Sequence, residues 1–214
     1  MTLSLALLSV VCSTVLGIGG ALCRTSSSRV LRYLALSYTT LIRSMPDLVL
    51  MLLVFYSLQI LLNTVCDLIG VRLIEIDAFT AGVLTVAFIY GAYMTETFRG
   101  AIEAIPRGYI EAALSVGMRP GLVFRKVTLP QLIRYALPGF SNNIQVIIKA
   151  TALVSIIGLV DIITVTQQAG QATQHAFFFN ILAAGIYLAL TSGLMFFLSR
   201  VEKHVTRGVK EAVL

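Results

Sequence analysis

Five uninterrupted apolar runs, each long enough to cross a lipid bilayer, constrain this chain more than any other feature. They cover residues 3–22, 46–65, 78–98, 136–160 and 177–199. About 20 helical residues cross a hydrocarbon core of about 30 Å. Within lipid every backbone N–H and C=O must be satisfied by the protein itself, which leaves helices or a closed barrel. Barrel strands alternate apolar and polar residues over short segments. The runs here are continuous, so the expected fold is all-α and polytopic, with five transmembrane helices. With 57% hydrophobic and only 12% charged residues, and a mean hydropathy of +0.91, the 214-residue chain has too little charge for a water-exposed surface.

Basic residues indicate the orientation. Arg24, Arg29 and Arg32 follow the first run. Arg99, Arg107, Arg119, Arg125, Lys126 and Arg134 lie between the third and fourth, and Arg200, Lys203, Arg207 and Lys210 follow the fifth. Segment 66–77 has only Arg72 beside Asp67, Glu75 and Asp77, and segment 161–176 has no Lys or Arg. Lys and Arg accumulate on the cytoplasmic side, so the N-terminus is expected outside (periplasmic) and the C-terminus in the cytoplasm. The net charge of +6 then serves orientation and contact with lipid headgroups, and makes no case for nucleic-acid binding. The first run lacks a basic leader and a small-x-small site before Arg24, so it reads as a mature helix. The three cysteines, Cys12, Cys23 and Cys66, lie in or beside spans and form no disulfide framework.

The whole chain, 1–214, reads as one membrane domain with a cytoplasmic loop at 100–134. The connector 24–32 is short and serine-rich, and residues 33–44 suit an interfacial helix before Pro46, which opens the second span. Ser9, Ser13, Gly17 and Ala21 recur every four residues, a small-residue stripe along which another helix can approach closely. Segment 164–175, with Gln167, Gln168, Gln171, Gln174 and Gly170, reads as a loop or broken helix lining water.

The loop itself has an ordered pattern. After Pro106, residues 109–116 form two helical turns with Glu111 placed early, where the helix dipole favours a carboxylate. Ala112, Ala113 and Val116 supply a small apolar side, and Gly117 ends the helix. A second short helix over 121–128, stopped by Pro130, completes a rigid knob suited to a partner's groove. No Gly-Lys dipeptide occurs, so the phosphate-cradling loop of an ATPase is absent and energy must come from another polypeptide.

The sequence Glu111-Ala112-Ala113, three residues, Gly117, nine residues, Val127-Thr128-Leu129-Pro130 resembles the ATPase-coupling loop of bacterial ABC importer permeases. Tyr38 to Asp47, Tyr90 to Gly100, Asn142-Asn143, Lys149 to Ser155 and Gly158-Leu159 resemble the polar amino acid permeases. Among these the likeness is to Q-type subunits of histidine and lysine/arginine/ornithine importers and to opine importers. Ala150 stands where many relatives carry an aspartate. The resemblance implies a type I importer fold in the bacterial inner membrane. The partners it implies are a second, M-type permease subunit, two ATPase subunits that bind ATP and Mg, and a periplasmic amino-acid-binding protein. It implies that Glu111, Ala112, Ala113, Gly117, Val127, Leu129 and Pro130 receive the ATPase.

Ionisable groups in spans are costly and should face protein or water. Lys149 lies mid-span, able to meet a substrate carboxylate or a buried partner. Glu96 and Arg99 are spaced to pair on one helix face that also carries Tyr93. Arg43 and Asp47 read as anchors, and Asp161 sits at the outer end of the fourth span. With Thr151 and Gln167 added, the substrate-path residues are Tyr93, Glu96, Lys149, Thr151, Asp161 and Gln167. No nucleophile with a paired base and no Cys/His cluster occurs, so no catalysis, metal or cofactor is expected in this chain. The function read is a permease subunit for polar, basic amino acids working by alternating access. The alternatives are another amino acid, such as methionine or glutamine, or a nucleotide-independent secondary transporter or channel.

Overall fold

The computed structural model describes residues 1–70 and 77–205. Arg72, Glu75, Arg207 and Lys210, used above for orientation, lie outside them. The described residues form helices: α1 (Thr2–Thr25), α2 (Arg29–Arg43), α3 (Asp47–Ile69), α4 (Ala78–Glu103), α5 (Arg107–Ser115), α6 (Pro120–Val123), α7 (Leu129–Val154), α8 (Ile162–Thr173) and α9 (Ala176–Val205). Five helical stretches are long and apolar enough to cross a membrane: α1, α3, α4, the stretch Pro120–Ile157 that contains α7, and α9.

Helix α4 is the axis of the bundle. Of its most apolar stretch 67% is buried, against 11% in α3 and 17% in α9. The stripe on α1 explains why: Ser9, Ser13, Gly17 and Ala21 are all buried, and α1 lies along α4 for most of its length. A methyl group at Gly17 would sit 2.3 Å from Cβ of Met94. Lipid tails are as apolar as leucine, so span association depends on such close packing and on hydrogen bonds between helices. On its other side α4 meets α7, where Nδ2 of Asn143 donates to Oγ1 of Thr97 at 2.9 Å and Phe98 packs near Phe140.

Several boundaries differ from the sequence reading. α2 begins at Arg29, so Arg29 and Arg32 are helical, Arg24 closes α1, and the connector shrinks to the serines. The third span runs on to Glu103. The fourth ends at Val154, followed by one tight turn, Ser155–Ile157, with Gly158 at φ +95°.

Pro130 does not stop a helix at 121–128. A widened π-helical turn, Phe124–Thr128, joins α6 to α7, and the N–H of Leu129 donates to the carbonyl of Phe124. A proline ring clashes with the carbonyl four residues back. Here the widened turn lies directly ahead of Pro130, which falls in the first turn of α7, so the chain passes on as helix.

Segment 164–175 is likewise mostly helix rather than loop. Asp161 caps α8 by accepting from the Thr164 N–H at 2.9 Å, and Gly170 stays helical, packed against Ala176. The four glutamines are exposed.

Candidate functional site

The elbow joins α4 to α7. Gly117 has φ +81°, its N–H donates to Leu114 O at 2.9 Å, and the N–H of Met118 donates to Ala113 O at 3.2 Å. This paired bonding is a Schellman closure, which places a left-handed residue just past the helix end. A side chain at φ +81° is strained even though open space surrounds Gly117.

Because α5 starts at Arg107, Glu111 falls in its second turn, and the first turn holds no acidic residue. Glu111 therefore sits beyond the turn where the helix dipole favours a carboxylate, and its side chain is exposed. Ala113 alone of the small apolar set turns inward. Ala112 and Val116 are exposed, and with Tyr109 and Leu114 they leave an apolar surface outside any span, which the exposed Leu122 and Phe124 extend at the head of the fourth spanning stretch. Val127 and Leu129 are half-buried in and after the π turn, and Pro130 is exposed.

On the same side of the bundle, α1, α2 and α4 enclose a polar cleft of about 450 Å³. Tyr93 and Glu96 line it together. Glu96 is held by two guanidinium groups, accepting from Nε of Arg99 at 2.8 Å and from Nε of Arg24 at 3.2 Å. The expected Glu96–Arg99 pair is present, and Arg99 also pairs with Glu103. Arg24, read only as an orienting charge, is the partner sequence reasoning missed; nothing local in the sequence links it to a residue 72 positions away. Asp47 accepts from Tyr90 Oη at 2.9 Å and Tyr93 Oη at 3.4 Å, tying α3 to α4, two partners that its spacing to Arg43 did not point to.

The remaining substrate-path residues lie elsewhere. Thr151 is buried, its hydroxyl donating to Ile148 O at 2.7 Å. Asp161 is buried as the α8 cap and accepts from Tyr187 Oη at 3.2 Å. Gln167 is exposed on α8. Lys149 is exposed on α7, on the same face as Asn142, which is exposed, and Gln145, which is half-buried; among the described residues Lys149 makes no ion pair. Lys149 and Thr151, two residues apart, point to different sides of the helix.

A bundle of membrane-spanning helices, a rigid elbow with an apolar outer surface, and a polar stripe on one span define a membrane transport subunit. The chain belongs to the family of binding-protein-dependent transport system inner membrane components, which matches residues 13–207. The histidine/lysine/arginine/ornithine transport system permease protein HisQ of Escherichia coli (strain K12) is 51% identical over 217 residues, covering 100% of this chain and 94% of that protein. The octopine transport system permease protein OccQ of Rhizobium radiobacter is 37% identical over 216 residues, covering 100% and 90%. A crystal structure of an amino acid ABC transporter with histidines superposes with a TM-score of 0.79 at 34% identity, over 95% of this chain and 90% of that one. The chain is thus a multi-pass inner-membrane permease subunit, non-catalytic itself, with ATP hydrolysis carried out by separate subunits. Membership of this family implies assembly with further permease, ATPase and binding-protein subunits.

Proposed function

We propose that this chain forms half of the translocation path of an importer for basic amino acids, of the histidine, lysine, arginine, ornithine or opine kind that its relatives' names describe. The observation that carries this is the stripe Asn142, Gln145 and Lys149 on α7. Lys149 lies five residues before the end of α7 rather than mid-span. A lysine inside a membrane helix that faces lipid is costly, up to about 2.5–3.5 kcal/mol at the bilayer centre. A face with three polar residues in a membrane helix therefore belongs against water or a sister subunit. Lys149 supplies a cation for a solute carboxylate. Tyr93, Glu96, Thr151 and Asp161 are engaged with neighbouring helices, and in this reading they shape the path rather than hold the solute. Gln167 lies on the face open to an arriving binding protein.

The elbow, 100–134, is the contact for the ATPase. Its exposed apolar residues around Val116 and its locked turn at Gly117 support that role, with Glu111 at the contact's edge. The orientation follows from the basic residues: elbow in the cytoplasm, N-terminus periplasmic. The full assembly contains an M-type permease, two ATPase subunits holding ATP and Mg, and a periplasmic binding protein. ATP binding moves the elbow and shifts the balance between two arrangements of the helices, which is alternating access.

In proteoliposomes containing that assembly, Lys149→Met raises KM for labelled arginine or histidine at least several-fold while ATP hydrolysis in the absence of solute is unchanged. Unaltered uptake would remove Lys149 from the path.

A further inference from the structure

Two hollows on the outer side of the α1–α4 pair adjoin each other, and their chemistries differ. The first is the polar cleft lined by Arg24, Thr39, Thr40, Arg43 and Glu96. The second is an apolar groove of about 690 Å³ between α1, α3 and α4, lined by residues such as Val15, Leu16, Ser57, Leu58, Leu84 and Phe88. Tyr38 stands between them: it adjoins Thr39 of the cleft, its ring lies 5.1 Å from that of Phe88, and its hydroxyl donates to Phe88 O. Leu84 and Glu96 are twelve residues apart on α4, so the two hollows together extend for about 18 Å. That is the depth of one leaflet, half of a hydrocarbon core of about 30 Å, together with part of its headgroup region.

The charge in the cleft is incompletely matched. Arg24 commits its Nε to Glu96, but the Arg43 guanidinium has no carboxylate partner among the described residues; it lies over the Tyr93 ring at 5.6 Å. A guanidinium has five donors in a planar fork suited to phosphate. Helical periodicity puts Arg29 and Arg32 on the same face of α2 as Arg43. The opposite face of α2 carries Val30, Leu34 and Leu41, which are 67%, 64% and 64% exposed. A basic cleft beside an apolar groove suits an amphiphile, whereas a free anion would use only the cleft. The cleft also lies away from α7, because α2 packs on α1 and α4.

We propose that the cleft and groove hold one anionic phospholipid, its phosphate against Arg43 and Arg24 and one acyl chain along Leu16, Leu58 and Phe88. The lipid then fastens α2 and α3 to the α1–α4 pair. Which leaflet supplies it rests on the orientation proposed above; the site itself does not.

The test uses the assembled transporter in nanodiscs of phosphatidylglycerol and phosphatidylcholine, with bound lipid read by native mass spectrometry after detergent exchange. Wild type retains phosphatidylglycerol in preference to phosphatidylcholine, and millimolar inorganic phosphate does not displace it. Arg43→Gln lowers retention about fivefold, as loss of roughly one basic contact near the bilayer surface implies. Ser57→Trp, which fills the groove and leaves every charge in place, also lowers it, so the idea stays testable if Arg43→Gln fails to assemble. Arg125→Gln, on the elbow, leaves retention unchanged. No preference for phosphatidylglycerol, displacement by phosphate, indifference to Ser57→Trp, or an equal loss in Arg125→Gln would each overturn the proposal. No solute or nucleotide enters the measurement, so failure of the basic-amino-acid reading leaves its result standing.

Discussion

Gly17 has no room for a methyl group, and Gly19, two residues on, has nothing within 4 Å of the corresponding point. The pair isolates packing from helix propensity within one helix. Gly17→Val forces α1 away from α4 and should cost about 1–3 kcal/mol, the usual range for overpacking. Gly19→Val should leave the detergent-solubilised melting temperature close to wild type. Asp77, which caps α4, makes a different prediction. Hydrogen bonds from the Thr80 hydroxyl and amide, and from the Phe79 amide, hold its carboxyl below the usual carboxylate range. A lowered folded value means its contribution is complete above an ordinary aspartate pKa of about 3.9. That contribution fades as pH falls through the lowered value. Amide exchange at Phe79 and Thr80, corrected for intrinsic rate, should therefore speed up on acidification below that range. In Asp77→Ala it should be faster throughout, with little further change over the same range.

Between elements, the decisive feature is the π turn Phe124–Thr128 at the root of α7. It lets Pro130 enter a continuous helix and fixes the rotation of α7 relative to α5 and α6. Each helical residue turns the axis by about 100°. Deleting Thr128 should convert the turn to ordinary helix and rotate the elbow away from its face. Membrane insertion should survive, but the ATPase of the assembled transporter should no longer respond to the binding protein. A response equal to wild type would show that the elbow's angular setting is irrelevant. The Schellman closure at Gly117 belongs to the same scale, because it makes α5 and its exposed Val116 one stiff unit rather than a loose loop.

For the whole molecule, the uneven burial of the spans marks an incomplete assembly. α4 is enclosed, while α3, α9 and the polar stripe of α7 are left for lipid and for sister subunits. A cysteine replacing Gln145, in a chain whose own cysteines are alanine, tests the stripe. Its labelling by a membrane-impermeant maleimide should depend on nucleotide in the assembled transporter, as water reaches the path from one side or the other. Labelling that never changes with nucleotide would argue that the stripe is a static subunit interface.

The number and type of spans, the small-residue seam on α1, the Glu96–Arg99 pair and the cap at Gly117 were all readable in the chain, because each depends on residues within a few helical turns. The Arg24–Glu96 link, the Tyr90 and Tyr93 bonds to Asp47, the Tyr187 bond to Asp161 and the passage of helix through Pro130 were not. Each depends on which side chains distant in sequence come within reach, or on a backbone register that local propensity does not choose. Composition determined that the chain must satisfy its backbone inside lipid. Only the tertiary structure decided which charges are neutralised within the chain and which, like Lys149 and Arg43, are left facing outward, because ion pairing falls off within a few ångströms and the distance is set by packing.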